Sequence, residues 1–279
     1  MKTRIIIDST ADLMPQQQAR VHIVPLTVRF GEEEYIDGVT IDHKTFYEKL
    51  AEADVLPTTS QATPAAFALE FEKAKDAKEA AVVITLASNL SGTYQSAMIA
   101  AEDYENIYVV DGGSATIGGG ILAELALQYL DAGMSAREIA EKLTQDKEKL
   151  VLVALVDTLD YLKMGGRVSK SVAFAGALLN IKPLISVVDG QIQILGKARG
   201  TKQGYQLLQQ EMAKVGGIDF TKPVLFGYTG VSEDMVCKFI EDCKPMWEGK
   251  LSQARYASVG SVIGTHAGPG AVTVAFFKV

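Results

Sequence analysis

Residues 81–104, AVVITLASNLSGTYQSAMIAAEDY, decide the fold class. Ala81 to Leu86 is a continuous apolar run of strand length, Ser88-Asn89 ends it in a polar loop, and Thr93 to Tyr104 is spaced like a helix. Asn106 to Asp111 repeats the arrangement, with Gly112-Gly113-Ser114 as the loop and an apolar helix running toward Gly133. A further helix is expected from Ala136 to about Lys149. Upstream, Arg4 to Asp8 is a short Ile-rich strand that empties into Asp8-Ser9-Thr10, and a helix is expected from about Asp12. Strands alternating with helices predict a parallel sheet covered on both faces. Ligands of such sheets sit beyond the carboxyl ends of the strands, so the loops after Asp8, Leu86 and Val110 should converge on one crevice.

Between these units, Val21 to Phe30 reads as extended and Gly31 to Gly38 adds turn signals for a hairpin. Asp42 is placed to cap a helix through about Ala53. Thr63-Pro64 opens another, with a capping hydroxyl before proline at the first helical position, and Pro57 to Ala62 precedes it as a polar loop. From Leu150 the pattern changes. Val172 to Leu179 is an apolar helix candidate, and Leu184 to Val188 and Gln191 to Leu195 flank Asp189-Gly190, a two-residue hairpin signal. Thr201 to Lys214 and Glu233 to Cys243 read as helices. Pro223 to Tyr228, Arg255 to Val259 and Ala271 to Phe277 read as strands. The 279 residues thus divide into an α/β/α domain with a parallel sheet (1–150) and an α/β domain with a mixed sheet (151–279).

Composition narrows the function. Lys plus Arg number 27 against 34 Asp plus Glu, a formal charge of −7, and no long basic run is present to neutralise phosphates, so nucleic acid is not expected as a partner. No stretch reaches the roughly 18 apolar residues of a membrane helix, and the N-terminus lacks a signal-peptide pattern, so a cytosolic protein is expected. Cys237 and Cys243 are spaced to face different sides of one helix, and His22, His43 and His266 show no zinc-ligand spacing. No metal is expected.

The densest polar cluster is Thr58-Thr59-Ser60-Gln61 with Ser88-Asn89 and Ser91-Gly92-Thr93, in loops expected at one rim. Hydroxyls beside helix-start amides suit an anion or carboxylate, although Ser91 and Thr63 could equally serve as helix caps. Asp8-Ser9 could hold a metal, act as a nucleophile or satisfy loop amides, and the last is favoured. The glycines at 112–113 and 118–120 miss both the Walker and the dinucleotide-binding registers, so close packing against the sheet is the favoured reading. Gly165-Gly166-Arg167 is either a turn presenting a cation or a helix end with a solvated arginine. His266, in a glycine-rich loop, could hydrogen-bond to an acid or be structural.

These motifs together resemble the DegV family, bacterial fatty-acid-binding proteins that present acyl chains to a fatty acid kinase. The resemblance rests on Asp8-Ser9-Thr10-Ala11-Asp12-Leu13, Pro57-Thr58-Thr59-Ser60-Gln61, Leu90 to Ala97, Gly165-Gly166-Arg167, Asn180-Ile181-Lys182-Pro183 and Gly264 to Ala271. It implies two α/β domains with the lipid between and within them, a long-chain fatty acid such as palmitate as ligand, no cofactor, and no catalytic residue of its own. By motif position it implies carboxylate contacts from Thr59, Ser91 and His266. Ser60, Gln61, Gly92, Thr93 and Ser9 would form a secondary rim, and Arg167 would dock the kinase. Three positions depart from the family pattern: Ala62 for proline, Ala87 for serine, and Gly112 for serine, the last of which would loosen the rim. Two other classes stay open, a phosphoryl- or acyl-transfer enzyme using the Asp8 crevice and a regulatory interaction module.

Overall fold

The structure, a computed structural model, describes residues 1–168 and 180–279, so the helix expected over Val172 to Leu179 lies outside the described residues. Strands β1 (Thr3–Asp8), β2 (His22–Val24), β6 (Ala80–Thr85) and β7 (Ile107–Asp111) form a parallel sheet in the order β2-β1-β6-β7. Every residue of β6 is buried, as a parallel strand covered on both faces requires. A small antiparallel sheet joins β3 (Thr27–Phe30) to β4 (Glu33–Ile36) and to β5 (Thr58–Ser60). The extended stretch 21–30 therefore divides between two sheets. Part of the polar loop expected over 57–62 is instead a strand, with Thr59 opposite Val28.

The second half is a mixed sheet in the order β10-β9-β8-β13-β11-β12, built from β8 (Leu150–Leu155), β9 (Ile181–Val188), β10 (Gln191–Arg199), β11 (Leu225–Tyr228), β12 (Tyr256–Ser258) and β13 (Val272–Phe277). Asp189 and Gly190 both take positive φ at the turn between β9 and β10, as a tight hairpin demands. The α/β class with a parallel first sheet and a mixed second one is the architecture observed.

The helices are α1 (Pro15–Gln18), α2 (His43–Glu52), α3 (Pro64–Asp76), α4 (Thr93–Ala101), α5 (Ile117–Asp131), α6 (Ala136–Asp146), α7 (Asp160–Met164), α8 (Gly200–Lys214), α9 (Asp234–Asp242) and α10 (Ser261–Ala267). The helix expected from Asp12 is only α1, because Asp12 and Leu13 are drawn back against α5. Asp42 and Thr63 cap α2 and α3 by accepting the amides of Thr45 and Ala66. Ser135 and Glu138 form a reciprocal capping box on α6. Among the described residues, no helix is long and apolar enough to cross a membrane.

Two helices join the halves of the chain. Helix α5 is buried continuously from Ile117 to Leu127, touching β1 and β6 of the first sheet and β8, β11 and β13 of the second. Helix α10, from the end of the chain, packs on α2, β3 and β5, with Val262 in the core that holds Phe46 and Phe67.

The glycines of α5 permit this. A Cβ on Gly120 would stand 1.9 Å from the Asp12 carbonyl oxygen and one on Gly119 3.3 Å from the Ala11 Cβ. These glycines are close-packing positions, but Gly119 and Gly120 pack on the loop that follows β1 and not on the sheet itself. Alanine normally favours a helix over glycine, yet Gly120→Ala should lower unfolding free energy by about 1–3 kcal/mol, because the obstacle is backbone. A urea midpoint at or above the wild-type value would contradict this close approach.

Candidate functional site

A cavity of about 410 Å³ opens where the two sheets and α10 meet, within the usual size of a small-molecule site. Leu152, Ala154 and Val156, alternate residues of and just after β8, supply one wall, while the intervening Val153 and Leu155 face the core beneath α8 and α9. Ile185, Val187 and Ile192 of the hairpin, Leu26 and Leu86 before and after strands of the first half, and Val262 and Ile263 of α10 complete an apolar lining. The sequence pattern did not single these wall residues out. The available signal was a strand apolar at every position from Leu150 to Val156, which needs a hydrophobic environment on both faces.

One end of the cavity is polar. Thr59, Ser60, Gln61, Ser91, Gly92, Arg167 and His266 all line it, and the exposed Ser60 and Gln61 mark where it meets solvent. Thr93 is fully buried and Ser9 lies behind the wall, so neither reaches the cavity. Gly112 is also off the wall. Its amide donates to the Thr85 carbonyl, and a Cβ there would meet that same oxygen at 2.6 Å, so its departure from the family pattern does not loosen the rim.

His266 does not sit in a loop. It occupies the last turn of α10, where its Nε2 lies 2.9 Å from Thr59 Oγ1. The Nδ1 atom is buried against Gly165, where a Cβ would come within 2.1 Å, and has no hydrogen-bond partner among the described residues. A buried orphan N–H is costlier than an orphan lone pair, so we assign the proton to Nε2, which donates to Thr59 Oγ1. The Thr59 hydroxyl proton is then free to point into the cavity. Burial, aided by the Arg167 cation, lowers the His266 pKa to about 4, so the imidazole is neutral at pH 7.

Ser91 is arranged in a similar way. Its Oγ accepts the Thr93 amide at 3.3 Å and shares one hydrogen bond of 2.9 Å with Thr93 Oγ1, which leaves one hydroxyl proton of the pair unused. Gln61 is spent on the start of α4, donating to Ser96 Oγ at 2.9 Å. A Cβ on Gly92 would lie 2.2 Å from Gln61 Oε1, so a side chain there would displace the Gln61 amide. Arg167 follows α7 at a turn where Gly166 has φ +72. It is not a solvated arginine: its guanidinium donates to the carbonyls of Gly165 and Leu90, and it faces the cavity.

Three hydroxyls elsewhere on the wall are donated to the protein, while Thr229 Oγ1 accepts the Ala271 amide at 2.7 Å. Thr116 donates to Asp12 Oδ2 at 2.5 Å, Ser186 to the Leu152 carbonyl at 2.8 Å, and Thr273 to the Val153 carbonyl at 3.0 Å.

Behind the wall lie three buried carboxylates, Asp8, Asp12 and Asp37. Burial raises the pKa of each, and their mutual repulsion raises those of Asp8 and Asp12 further. Asp8 accepts the Thr10 amide at 2.9 Å through Oδ1 and the Leu86 amide at 2.7 Å through Oδ2, which is the loop-satisfying role favoured for it. Among the described residues, no group of three or more His, Cys, Asp or Glu is placed to hold a metal ion.

The family model described as an uncharacterised protein of the DegV family matches residues 2–279. A DegV domain-containing protein of Caldanaerobacter subterraneus is 33% identical over 282 residues, covering 99% of this chain and 98% of that protein. Among solved structures, a DegV family protein from Thermus thermophilus, described by its fatty acid binding, superposes with a TM-score of 0.88 at 30% identity over 100% of both chains. The Streptococcus pneumoniae fatty acid kinase B3 protein, loaded with linoleic acid, has the same fold, with a TM-score of 0.86 at 24% identity over 100% of both chains.

In the protein without bound ligand, the ring of His266 should remain neutral down to about pH 4. Because this pKa lies below its unfolded value near 6.5, the contribution to stability is complete above about pH 6.5 and is lost as pH falls toward 4. Imidazole nitrogen shifts followed by NMR against pH will check this; a midpoint of 6 or higher would place the ring in water.

Proposed function

The chain belongs to the DegV family, and from that premise we propose that it binds a long-chain, palmitate-like fatty acid and presents it to a fatty acid kinase. In this reading the alkyl chain fills the apolar cavity between domains 1–150 and 151–279. The carboxylate meets the hydroxyls of Thr59 and Ser91, with His266 as a third contact and Arg167 at the rim as the kinase-docking residue. The carrier works in the cytosol, needs no cofactor, and leaves the chemistry to its partner.

The observation that carries the reading is how hydroxyl protons are distributed along the cavity. Those of Thr116, Ser186 and Thr273 are donated to the protein, while at the end near solvent Thr59 has one to give and the Ser91–Thr93 pair has one between them. A ligand that is apolar along its length and an acceptor at one tip fits that distribution. The Thermus thermophilus relative binds fatty acid on the same fold. The Asp8 crevice offers less support for a transfer enzyme, because both oxygens of that carboxylate are already engaged by amides.

Magnitudes divide the work. Burying a methylene is worth about 0.8 kcal/mol, so a chain of about fourteen gains on the order of 11 kcal/mol before association costs. Each head-group hydrogen bond adds about 1 kcal/mol, or somewhat more to an ionised acid. The tail holds the ligand, and the head group sets which end faces out.

Organic extraction of freshly purified protein followed by gas chromatography and mass spectrometry should recover about one fatty acid per chain. Thr59→Ala and Ser91→Ala should cut acyl phosphate formation with a partner kinase about fivefold or more, while lipid retention falls less, since each removes roughly 1 kcal/mol from the head group alone. Equal acyl phosphate formation by all three proteins would count against the assignment. ATP turnover by the chain on its own would replace the carrier with an enzyme.

A further inference from the structure

Helix α10 carries His266 at one end, and three side chains from elsewhere in the chain hold its other end. Asp12 Oδ1 accepts the Gly260 amide at 2.9 Å, Asp37 Oδ1 accepts the Ser261 amide at 3.3 Å, and the Tyr47 hydroxyl donates to the Val259 carbonyl at 2.9 Å. We propose that Asp12, Asp37 and Tyr47 are positioning residues of the head-group site, which fix the imidazole of His266 against Thr59 by anchoring the start of α10. The inference rests on the fatty-acid reading given above.

Each anchor is itself held. Asp12 Oδ2 accepts the Thr116 hydroxyl at 2.5 Å, and the Asp12 carbonyl is pressed against Gly120 of α5. Asp37 Oδ2 accepts the Ser9 hydroxyl at 2.7 Å, and Ser9 Oγ accepts the Leu26 amide at 3.1 Å. Leu26 lies on the cavity wall one residue before β3, and β3 pairs with β5, which carries Thr59. The contacts therefore close a ring: Asp37, Ser9, Leu26, β3, Thr59, His266, α10 and back to Asp37 through Ser261.

The helix between is short and stiff enough to transmit a displacement. His266 stands six positions after Gly260, about 9 Å of helix rise. A Cβ on Gly264 would lie 2.6 Å from Tyr47 Oη and 2.7 Å from Phe46, so the helix rests on α2 without slack. Releasing its first turn lets it tilt on that contact, and the end that moves carries His266. Val262 and Ile263 pass along the apolar wall on the same helix, but a side chain met by a flexible alkyl tail tolerates a shift that a directed hydrogen bond does not.

The test uses the delipidated full-length chain and compares affinity for palmitate with that for methyl palmitate, which has the same tail and lacks the carboxylate. Wild type should prefer the acid about tenfold. Asp12→Ala, Asp37→Ala and Tyr47→Phe should each lower that preference at least threefold with ester affinity changed less than twofold, while Asp12→Asn and Asp37→Asn, which keep an acceptor oxygen for the amide, should restore most of it. If the alanine variants do not fold, Tyr47→Phe, which keeps the packing, decides: a wild-type preference there overturns the proposal, as does equal preference in folded alanine variants. A wild type that treats acid and ester alike would instead overturn the head-group reading.

Discussion

Helix α5 is buried on every face from Ile117 to Leu127, and its one charged side chain there, Glu124, is paired with Arg255, so it has to be covered on all sides. One sheet cannot do that. The parallel sheet covers the side facing β1 and β6, α6 packs alongside, and the second half of the chain supplies further cover through β8, β11 and β13. Once the two sheets share this helix, the loops at the carboxyl ends of the first sheet face the mixed sheet, and the cavity forms at the start of α5, beside Ala115 and Thr116. Helix α10 makes the reciprocal crossing from the end of the chain into the core around Phe46 and Phe67. The cavity wall is thus assembled from distant parts of the sequence that are held in register by two shared helices.

That origin accounts for the unusual polarity behind the wall. Loops leaving the parallel sheet, and the loop leaving β12 of the mixed one, carry amides that no strand pairs, and here they are turned inward, where an unpaired N–H is costly. Asp8 takes the amides of Thr10 and Leu86, Asp12 that of Gly260, and Asp37 that of Ser261. Carboxylates suit the task because each accepts at two oxygens. The cost is burial of the charge, to which mutual repulsion adds for Asp8 and Asp12, and this raises their pKa values. Hydroxyls of Ser9, Thr10 and Thr116 offset part of that cost by donating to them.

Much of the architecture was legible because it follows local rules. The apolar run at Ala81, the capping residues Asp42 and Thr63, and the Asp189-Gly190 turn each announce an element by a mechanism that works within a few residues. What was not legible depends on tertiary contact. Thr58–Ser60 is three polar residues long and becomes a strand only because β3 offers an edge. Helix α10 has Gly260 before it, Gly264 inside it and no side-chain cap. Its helical state comes from Asp12 and Asp37, which lie more than two hundred positions away and supply the missing acceptors. The motif residues Thr59, Ser91, Gly92, Arg167 and His266 could be named from sequence, but the spatial relation among them could not. The apolar wall was illegible for a different reason: a residue facing a cavity and one facing a filled core are chemically alike.

The state of His266 links these layers. A protonated imidazole would donate at both nitrogens, and the one at Nδ1 would be buried against Gly165 without an acceptor and close to the Arg167 cation. The same surroundings therefore favour the neutral ring and the tautomer that donates to Thr59. An N–H fixed on Thr59 Oγ1 occupies one lone pair of that oxygen and turns its proton away from the ring, toward the cavity. His266 thus sets the direction of the neighbouring hydroxyl, and it does so without placing a second positive charge beside Arg167. In the proposed reading, a site arranged this way selects for a hydrogen-bond acceptor at the tip of the ligand through geometry, and the Arg167 cation at its rim adds the preference for an anionic one.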